Sequence, residues 1–201
     1  MYKHLFKRVL DIFISLLALP FIIVIGIFVG IAIWLDDRGS IFYLASRRGK
    51  DGKIFKMYKF RSMKMNAPDI RNADNSTYNA PDDPRITKIG KFLRKTSIDE
   101  LPQFLNVLLG DMSMIGPRPI TINKPLEDYD EKRRIRLEVR PGITGYSQAY
   151  FRNSITSEEK LEKDAWYARN VSMILDIKII FATIQSVLFH SNIYNATNER
   201  V

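Results

Sequence analysis

The longest uncharged stretch of the chain is the strongest constraint on its fold. It covers residues 12–35, between Asp11 and Asp36. As one helix it would be about 36 Å long, which exceeds the ~30 Å hydrocarbon core of a bilayer. A buried core helix is the alternative, but this length without a polar face favours a membrane segment. A secretory signal peptide fits poorly, because the run is too long and no convincing small-residue cleavage site follows it.

Pro20 and the flanking charges favour a re-entrant helix over a simple span. A proline costs about 3 kcal/mol or more inside a regular helix. It divides the stretch into 12–19 and 20–35, about 12 and 24 Å long, and neither piece reaches across ~30 Å. A span would also leave one basic cluster outside, because positive residues collect on the cytoplasmic side. Proline-kinked spans are common, so a crossing remains the alternative. The clusters are Lys3, Lys7 and Arg8 before the stretch and Arg38, Arg47, Arg48, Lys50 and Lys53 after it.

Composition narrows the chemistry available to the chain. The 31 Lys+Arg against 22 Asp+Glu give a net charge of +9, which indicates an anionic partner: nucleic acid, a phosphorylated ligand or an acidic membrane surface. The absence of cysteine excludes disulfides, thiolate nucleophiles and Cys-ligated zinc. With only His4 and His190, a histidine-based triad is close to excluded. Nucleic-acid binding is disfavoured, because the cations are scattered and no zinc finger, RNP-like strand or basic zipper is present.

The rest of the chain predicts an α/β domain, mostly helical with a small β-hairpin. Residues 41–46 and 53–60 are β-branched or aromatic and predict the hairpin, with Asp51-Gly52 at its turn. Residues 66–84 predict a mobile loop and 140–145 a turn-rich loop, whereas 192–201 predict a frayed end. Helices are predicted at 86–94, from about 99 to 110, and at 126–137, 157–168 and 172–189.

The last predicted helix carries an apolar stripe that permits two interpretations. Ordinary core packing and an interfacial membrane helix explain it equally well. The stripe consists of Met173, Ile177, Ile180, Ile184, Val187 and Leu188.

The adjacent carboxylates Asp99 and Glu100 form the strongest candidate site. Structurally, Ser97-x-x-Glu100 fits a capping box and Asp99 would be a good N-cap, and such patterns are common. Chemically, a carboxylate at a helix start stays ionised in a field that also attracts phosphate. An ionised aspartate could attack phosphorus and hold an acyl-phosphate, while its neighbour holds a cation such as Mg²⁺. Like charges at ~4 Å repel by roughly 4 kcal/mol, so a diphosphate requires such a cation together with arginine.

Several cations are candidates for phosphate binding. Arg118 lies between Pro117 and Pro119, in a rigid loop that is suited to present a bidentate guanidinium. Each of the others is, taken alone, an ordinary solvated or ion-paired surface residue. They are Lys59 and Arg61 at the hairpin end, Arg94, Arg140 and Arg152.

Four segments together resemble the bacterial sugar transferases, the monotopic phosphoglycosyl transferases. They are residues 58–63 (YKFRSM), 83–103 (DPRITKIGKFLRKTSIDELPQ), 110–119 (GDMSMIGPRP) and 140–145 (RPGITG). The similarity extends from Lys7-Arg8-x-x-Asp11 to about residue 189, and the length resembles the short form of the family.

The resemblance implies a Mg²⁺-dependent enzyme with two steps. A phosphosugar passes from a UDP-sugar to a polyprenol phosphate, usually undecaprenyl phosphate, and UMP is released. In the family, the phosphosugar becomes covalently bound to the aspartate of an Asp-Glu pair, and Asp99 stands at that position here. Glu100 would orient the metal or the diphosphate. Arg94 would brace the dyad, and Arg118 and Arg152 would contact phosphate or nucleotide.

The resemblance also implies a location and a domain plan. Residues 1–36 form a re-entrant anchor broken at Pro20, and residues 37–201 form a catalytic domain with amphipathic interfacial helices on the cytoplasmic face of the bacterial inner membrane. The expected role is the first membrane step of a surface-glycan or glycoprotein pathway. A second copy of the chain, or glycosyltransferases of the pathway, are candidate partners. The rivals are an inactive membrane-bound scaffold and a basic nucleic-acid binder.

Overall fold

The computed structural model describes residues 2–70, 78, 80, 82–152 and 154–188. The predicted frayed end at 192–201 and part of the predicted 66–84 loop lie outside this range. Of the described chain, a π-helical turn at Tyr2–Phe6 leads into helix α1, Lys7–Asp37, which contains the long apolar stretch. The helix continues on both sides of Pro20 as one element, so the structure does not confirm the predicted break.

A narrow stripe of α1 faces the rest of the protein along its length. Asp11 and Ser15 are buried near its beginning, and Val29, Gly30 and Ile33 near its end. The remaining circumference exposes large apolar side chains, such as Phe21 and Phe28, which are 72% and 70% exposed. Helix α1 is long and apolar enough to cross a membrane by length and composition. The outward face is therefore suited to lipid, because water would hydrate it poorly.

The predicted hairpin is confirmed. Strands β1, Phe42–Arg48, and β2, Ile54–Phe60, pair antiparallel around a short 3₁₀ turn at Lys50–Gly52, and Asp51 and Gly52 have positive φ there. A separate parallel pair joins β3, Ser113–Ile115, to β5, Gly142–Thr144. The two-residue strand β4, Ile120–Thr121, adds to the free edge of β1, so the larger sheet has the order β2-β1-β4. The predicted 140–145 loop thus contains a strand.

The helices follow the predictions with changes in length. Helix α4 covers only Glu131–Arg136, because Asp130 caps it by accepting from the backbone N–H of Arg133, so the prediction of a helix over 126–137 was too long. The sequence also gave no sign of the short helix α5. The others are α2, Lys88–Thr96; α3, Gln103–Leu109; α5, Tyr146–Tyr150; α6, Ser157–Arg169; and α7, Met173–Leu188.

Helix α7 exposes four of the six residues of the predicted apolar stripe, and the side chains of the other two, Val187 and Leu188, lie outside the described part of the chain. Met173, Ile177, Ile180 and Ile184 are between 37% and 53% exposed, whereas Asp176 and Ile179 of the same helix are buried. Core packing is therefore wrong for these four residues of the stripe. An interfacial membrane role for α7 stays a prediction.

Both ends of α1 are fixed to the same body of the protein. Near its start, Lys7 forms an ion pair with Asp176 of α7 at 2.7 Å, and Asp11 accepts from the backbone N–H of Met114 at 3.0 Å. Near its end, Asp37 forms an ion pair with Arg61 at 2.6 Å. The two halves of the helix thus share one support.

Candidate functional site

The predicted dyad lies in a turn between α2 and α3. Ser97 adopts the left-handed conformation at φ 59°, and a 3₁₀ turn at Ile98–Glu100 follows it. The capping-box interpretation is wrong, because Ser97 makes no side-chain capping bond and α3 begins after Pro102. The two carboxylates are therefore not used to cap a helix.

Strand alternation brings a lysine to Glu100. Residues 55, 57 and 59 of β2 share one face, because successive side chains of a strand point to opposite sides. Phe55 and Met57 are buried on that face, so Lys59 enters the same interior at its edge. Its Nζ lies 2.6 Å from Oε1 of Glu100, and both side chains are mostly buried. Arg118 approaches the same carboxylate oxygen at 3.9 Å.

The two carboxyl groups have opposite pKa shifts. Burial, reinforced by the neighbouring Glu100 charge, raises the pKa of Asp99 to about 6 against the opposing effect of Lys59 and nearby arginines. Burial also acts to raise the pKa of Glu100, but Lys59 and Arg118 outweigh it and lower that pKa. Glu100 is thus a permanent anion near neutral pH, whereas Asp99 is ionised above about pH 6 and weakly stabilised as an anion.

An open cleft of about 250 Å³ lies against Glu100. It carries three cationic side chains and one carboxylate, so an anion is the ligand that its charge favours. Arg47 was not predicted as a site residue, although it pairs with Phe55 across the hairpin and so lies on the inner face with Lys59. The lining consists of Arg47, Met57, Lys59, Glu100, Gln103, Arg118, Pro119, Gly142, Ile143 and Gln148.

Arg118 is held by its backbone, as the flanking prolines predicted. Arg136 of α4 donates to the Arg118 carbonyl at 2.9 Å, and Asp164 of α6 accepts a hydrogen bond from the Arg118 backbone. Asp164 also forms an ion pair with Arg136 at 2.9 Å and accepts from Ser147 Oγ at 2.5 Å. The Arg118 side chain is 58% exposed, so it is available to a ligand.

The strands behind this loop approach each other closely. A Cβ on Gly145 would lie 2.0 Å from the carbonyl oxygen of Gly116, so only glycine fits at this position. The contact places the Pro117-Arg118 loop beside the start of α5, which carries Gln148.

Arg94 and Arg152 both act on the dyad. Arg94 donates to Ser62 Oγ at 3.0 Å, and its charge acts to lower the pKa of Asp99. The charge of Arg152 acts in the same direction on Glu100.

Two arginines predicted to contact the substrate make contacts within the protein. Arg61 pairs with Asp37 at the end of α1, and Arg140 donates to the carbonyl of Gly110 at 2.8 Å. Arg8 donates to the carbonyls of Val107 and Leu108 at the end of α3. These arginines hold backbone and helix ends together.

The residues beside the dyad belong to an apolar cluster. Ile98 and Leu101, which flank the two carboxylates, pack against a buried cluster that includes Val29 and Ile33 of α1. The dyad thus has the cleft on the side of Glu100 and an apolar cluster that includes α1 on the side of its flanking residues.

The chain is similar to proteins of known class. The family whose sequence model matches residues 2–190 is described as bacterial sugar transferase. The chain is 42% identical over 187 residues to an uncharacterized sugar transferase, EpsL, of Bacillus subtilis, which covers 93% of this chain and 89% of that protein. It is 44% identical over 196 residues to the galactosyl transferase CpsE of Streptococcus agalactiae, over 93% of this chain.

A third relative has a more specific name. The chain is 41% identical over 189 residues to the UDP-glucose:undecaprenyl-phosphate glucose-1-phosphate transferase of Escherichia coli, over 90% of this chain. The chain spans only 43% of the length of CpsE and 40% of the Escherichia coli protein.

Proposed function

The chain belongs to the bacterial sugar transferase family, and from this we propose that it transfers a phosphosugar from a UDP-sugar to a polyprenol phosphate. The undecaprenyl carrier named for the Escherichia coli relative is the expected acceptor. The product would be a polyprenyl-diphosphate sugar, with UMP released, at the first membrane step of a glycan pathway.

The observation that carries the proposal is the position of Asp99. Asp99 is 8% exposed and adjoins Glu100, which lines the cationic cleft, and Ile98, which belongs to an apolar cluster shared with α1. A diphosphate fits the cleft by charge, and a polyprenol chain fits the helix surface by polarity. A nucleophile between them can serve both substrates in turn.

In the first step, an Asp99 carboxylate oxygen attacks the sugar-bearing phosphorus. The bond between that phosphorus and the bridging oxygen breaks, and UMP leaves with the oxygen and its electron pair. The sugar phosphate is then held on Asp99 as an acyl-phosphate. Lys59 and Arg118, which hold Glu100, face the charge that develops on the phosphoryl oxygens.

In the second step, a phosphate oxygen of the polyprenol phosphate attacks the same phosphorus. The bond to Asp99 breaks, and the carboxylate returns to its starting state with its electron pair. No proton is gained or lost over the two steps. The carboxylate is a competent leaving group because an acyl-phosphate is a mixed anhydride.

The residues present fit a magnesium ion that is shared with substrate. Mg²⁺ is commonly bound by one or two carboxylates together with substrate phosphates, and Asp99 and Glu100 supply two carboxylates. Among the described residues, no group of three or more His, Cys, Asp or Glu forms a site made by protein alone. The ion would neutralise diphosphate charge at the dyad.

Intact-protein mass spectrometry tests the mechanism. Incubation with a reactive UDP-sugar and Mg²⁺, without lipid, is expected to add the mass of one phosphosugar, which polyprenol phosphate then removes. The Asp99→Asn protein should show no adduct and no UMP release. Sustained UMP release without an adduct would reject the two-step route, and full activity of Asp99→Asn would reject the nucleophile.

We also propose that α1 anchors the protein from one side of the inner membrane, with the catalytic domain in the cytoplasm. The support is that both ends of α1 form ion pairs with the same domain, at Asp176 and at Arg61. A domain on one side of the bilayer cannot hold both ends of a helix that crosses it. The expected path is the re-entrant one, with the bend at Pro20.

A further inference from the structure

Two glutamines in the cleft are not used by the proposed chemistry. Gln103 is 2% exposed and lines the cleft. A polar group that is buried without a partner costs about 1–3 kcal/mol, so such a group is usually paired in the working state of a protein.

Gln148 also lines the cleft, and one of its amide atoms is buried without a partner in the described chain. Its Nε2 donates to the Ile143 carbonyl at 3.3 Å, which orients the amide, and its buried Oε1 has no partner among the described residues. This oxygen is an acceptor and requires an N–H or O–H group. An ionised diphosphate offers neither, so a phosphate oxygen cannot be its partner.

The position of Gln103 indicates which part of the UDP-sugar it contacts. Gln103 follows Glu100 by three residues through 3₁₀-type turns, which place such residues on one side. In the proposed reaction the phosphorus next to Asp99 carries the sugar. The uncharged groups closest to the dyad therefore meet the sugar, whereas the nucleoside lies beyond the second phosphate.

We propose that Gln103 and Gln148 bind hydroxyl groups of the transferred sugar and so contribute to the choice of UDP-sugar. This inference rests on the proposed function. The cations of the cleft hold the diphosphate, whatever the sugar. The two amides supply the hydrogen bonds that differ between sugars.

Steady-state kinetics of Gln148→Met and Gln103→Leu test this, with Gln185→Met on the exposed face of α7 as a matched control. A panel of UDP-glucose, UDP-galactose and their N-acetyl forms identifies the best donor of the unaltered protein. For that donor, each cleft variant is expected to raise KM about tenfold, as for a lost hydrogen bond to a buried group. Inhibition by UMP, which lacks the sugar, should be unchanged, and Gln185→Met should change neither.

Three results would overturn the inference. Unchanged KM in both cleft variants would show that the amides do not bind the donor. An equal weakening of UMP inhibition would assign them to the nucleoside. A fall in kcat with KM unchanged would assign them to the chemical step or to packing.

Folding and the proposed function are checked separately. Thermal unfolding shows whether the Gln103→Leu protein folds. Gln103→Asn, which retains the amide on a shorter side chain, is the substitute if it does not. A deoxy analogue of the best donor should bind the unaltered protein more weakly than the donor itself does. For Gln148→Met, the donor and the analogue should bind equally. If the unaltered protein releases no UMP from any UDP-sugar, the proposed function itself fails.

Discussion

Asp99 and Glu100 are neighbours in sequence, but their surroundings give them different protonation behaviour. Lys59 contacts Glu100 directly, whereas burial dominates at Asp99. A nucleophile with a raised pKa is a stronger electron-pair donor once it is ionised. In the proposed mechanism, the pairing of Lys59 with Glu100 therefore leaves Asp99 as the carboxylate that attacks phosphorus.

The rate of adduct formation is expected to follow the ionisation of Asp99. The carboxylate is the active form and its pKa is about 6, so the rate should fall about tenfold per pH unit below about pH 6. An ordinary aspartate would keep its activity to about pH 4. Rapid-quench measurement of UMP release across this range checks the prediction, and a rate that stays level down to about pH 4.5 would contradict it.

Asp99→Asn should stabilise the folded protein while it abolishes activity. The unfolded carboxyl ionises near its ordinary pKa of 3.8 and the folded one at about 6, so native stability declines as the pH rises through that interval. Above it the full penalty applies, about 2–3 kcal/mol for a shift of this size. The variant's higher unfolding temperature at neutral pH should therefore converge with that of the unaltered protein as the pH approaches 4. A constant difference across this range would contradict the assignment.

Lys59→Met should lower the rate about a hundredfold, because it removes a cation that faces the phosphoryl oxygens and leaves Glu100 without its closest partner. Lys59→Arg should restore part of that rate. The control is Lys56→Met, since Lys56 lies on the opposite face of β2, where it donates to Ser46. Equal losses in both methionine variants would show that charge alone, independent of position, supports the reaction.

At the level of elements, three helices hold the Arg118 loop. Arg136 of α4 and Asp164 of α6 contact the loop backbone, and Ser147 of α5 donates a hydrogen bond to Asp164. The two prolines limit the conformations of the loop, and the hydrogen bonds from Arg136 and to Asp164 hold its backbone in place. Arg118 can thus meet a ligand with little ordering cost, because its backbone is already fixed.

Asp164→Asn should destabilise the protein by about 3 kcal/mol, since it leaves the mostly buried Arg136 without its counter-charge. It should also raise KM for the UDP-sugar, because the Arg118 loop loses a support. Lys132→Ala is the control at the same α4–α6 contact. Its exposed pairs with Glu158 and Glu162 should contribute under about 1 kcal/mol. Denaturant unfolding and UMP release measure both variants, and similar small losses would refute the role of the network.

The hairpin and the dyad were predictable from the sequence for physical reasons. Alternation of apolar and polar residues determines which face of β2 is buried, so the inward position of Lys59 follows from the pattern. The strands β3 and β5 could not be predicted, because three residues show no periodicity and their pairing depends on chain segments far apart. The neutral side chain of Gln103 could not be recognised in the sequence, since its significance depends on its place in the wall of the cleft.

At the level of the whole molecule, the absence of cysteine permits a direct test of topology. Single cysteines are placed at an added amino-terminal residue, at Ser40 after α1 and at Ser154 in the catalytic domain. A re-entrant α1 predicts that all three react with a membrane-impermeant maleimide in inverted inner-membrane vesicles and none in intact spheroplasts. Labelling of the amino-terminal cysteine in spheroplasts, with the other two protected, would establish a crossing helix.

The carboxylate of Asp176 has a consequence for biosynthesis. It accepts hydrogen bonds from Tyr2, Lys7 and Tyr167, and the first two lie 174 and 169 positions away in the chain. During translation, helix α1 leaves the ribosome long before Asp176 of α7 has been synthesised. With α1 anchored as proposed, this helix can therefore meet lipid before its contacts with α7 form, so we expect membrane insertion to precede completion of the fold.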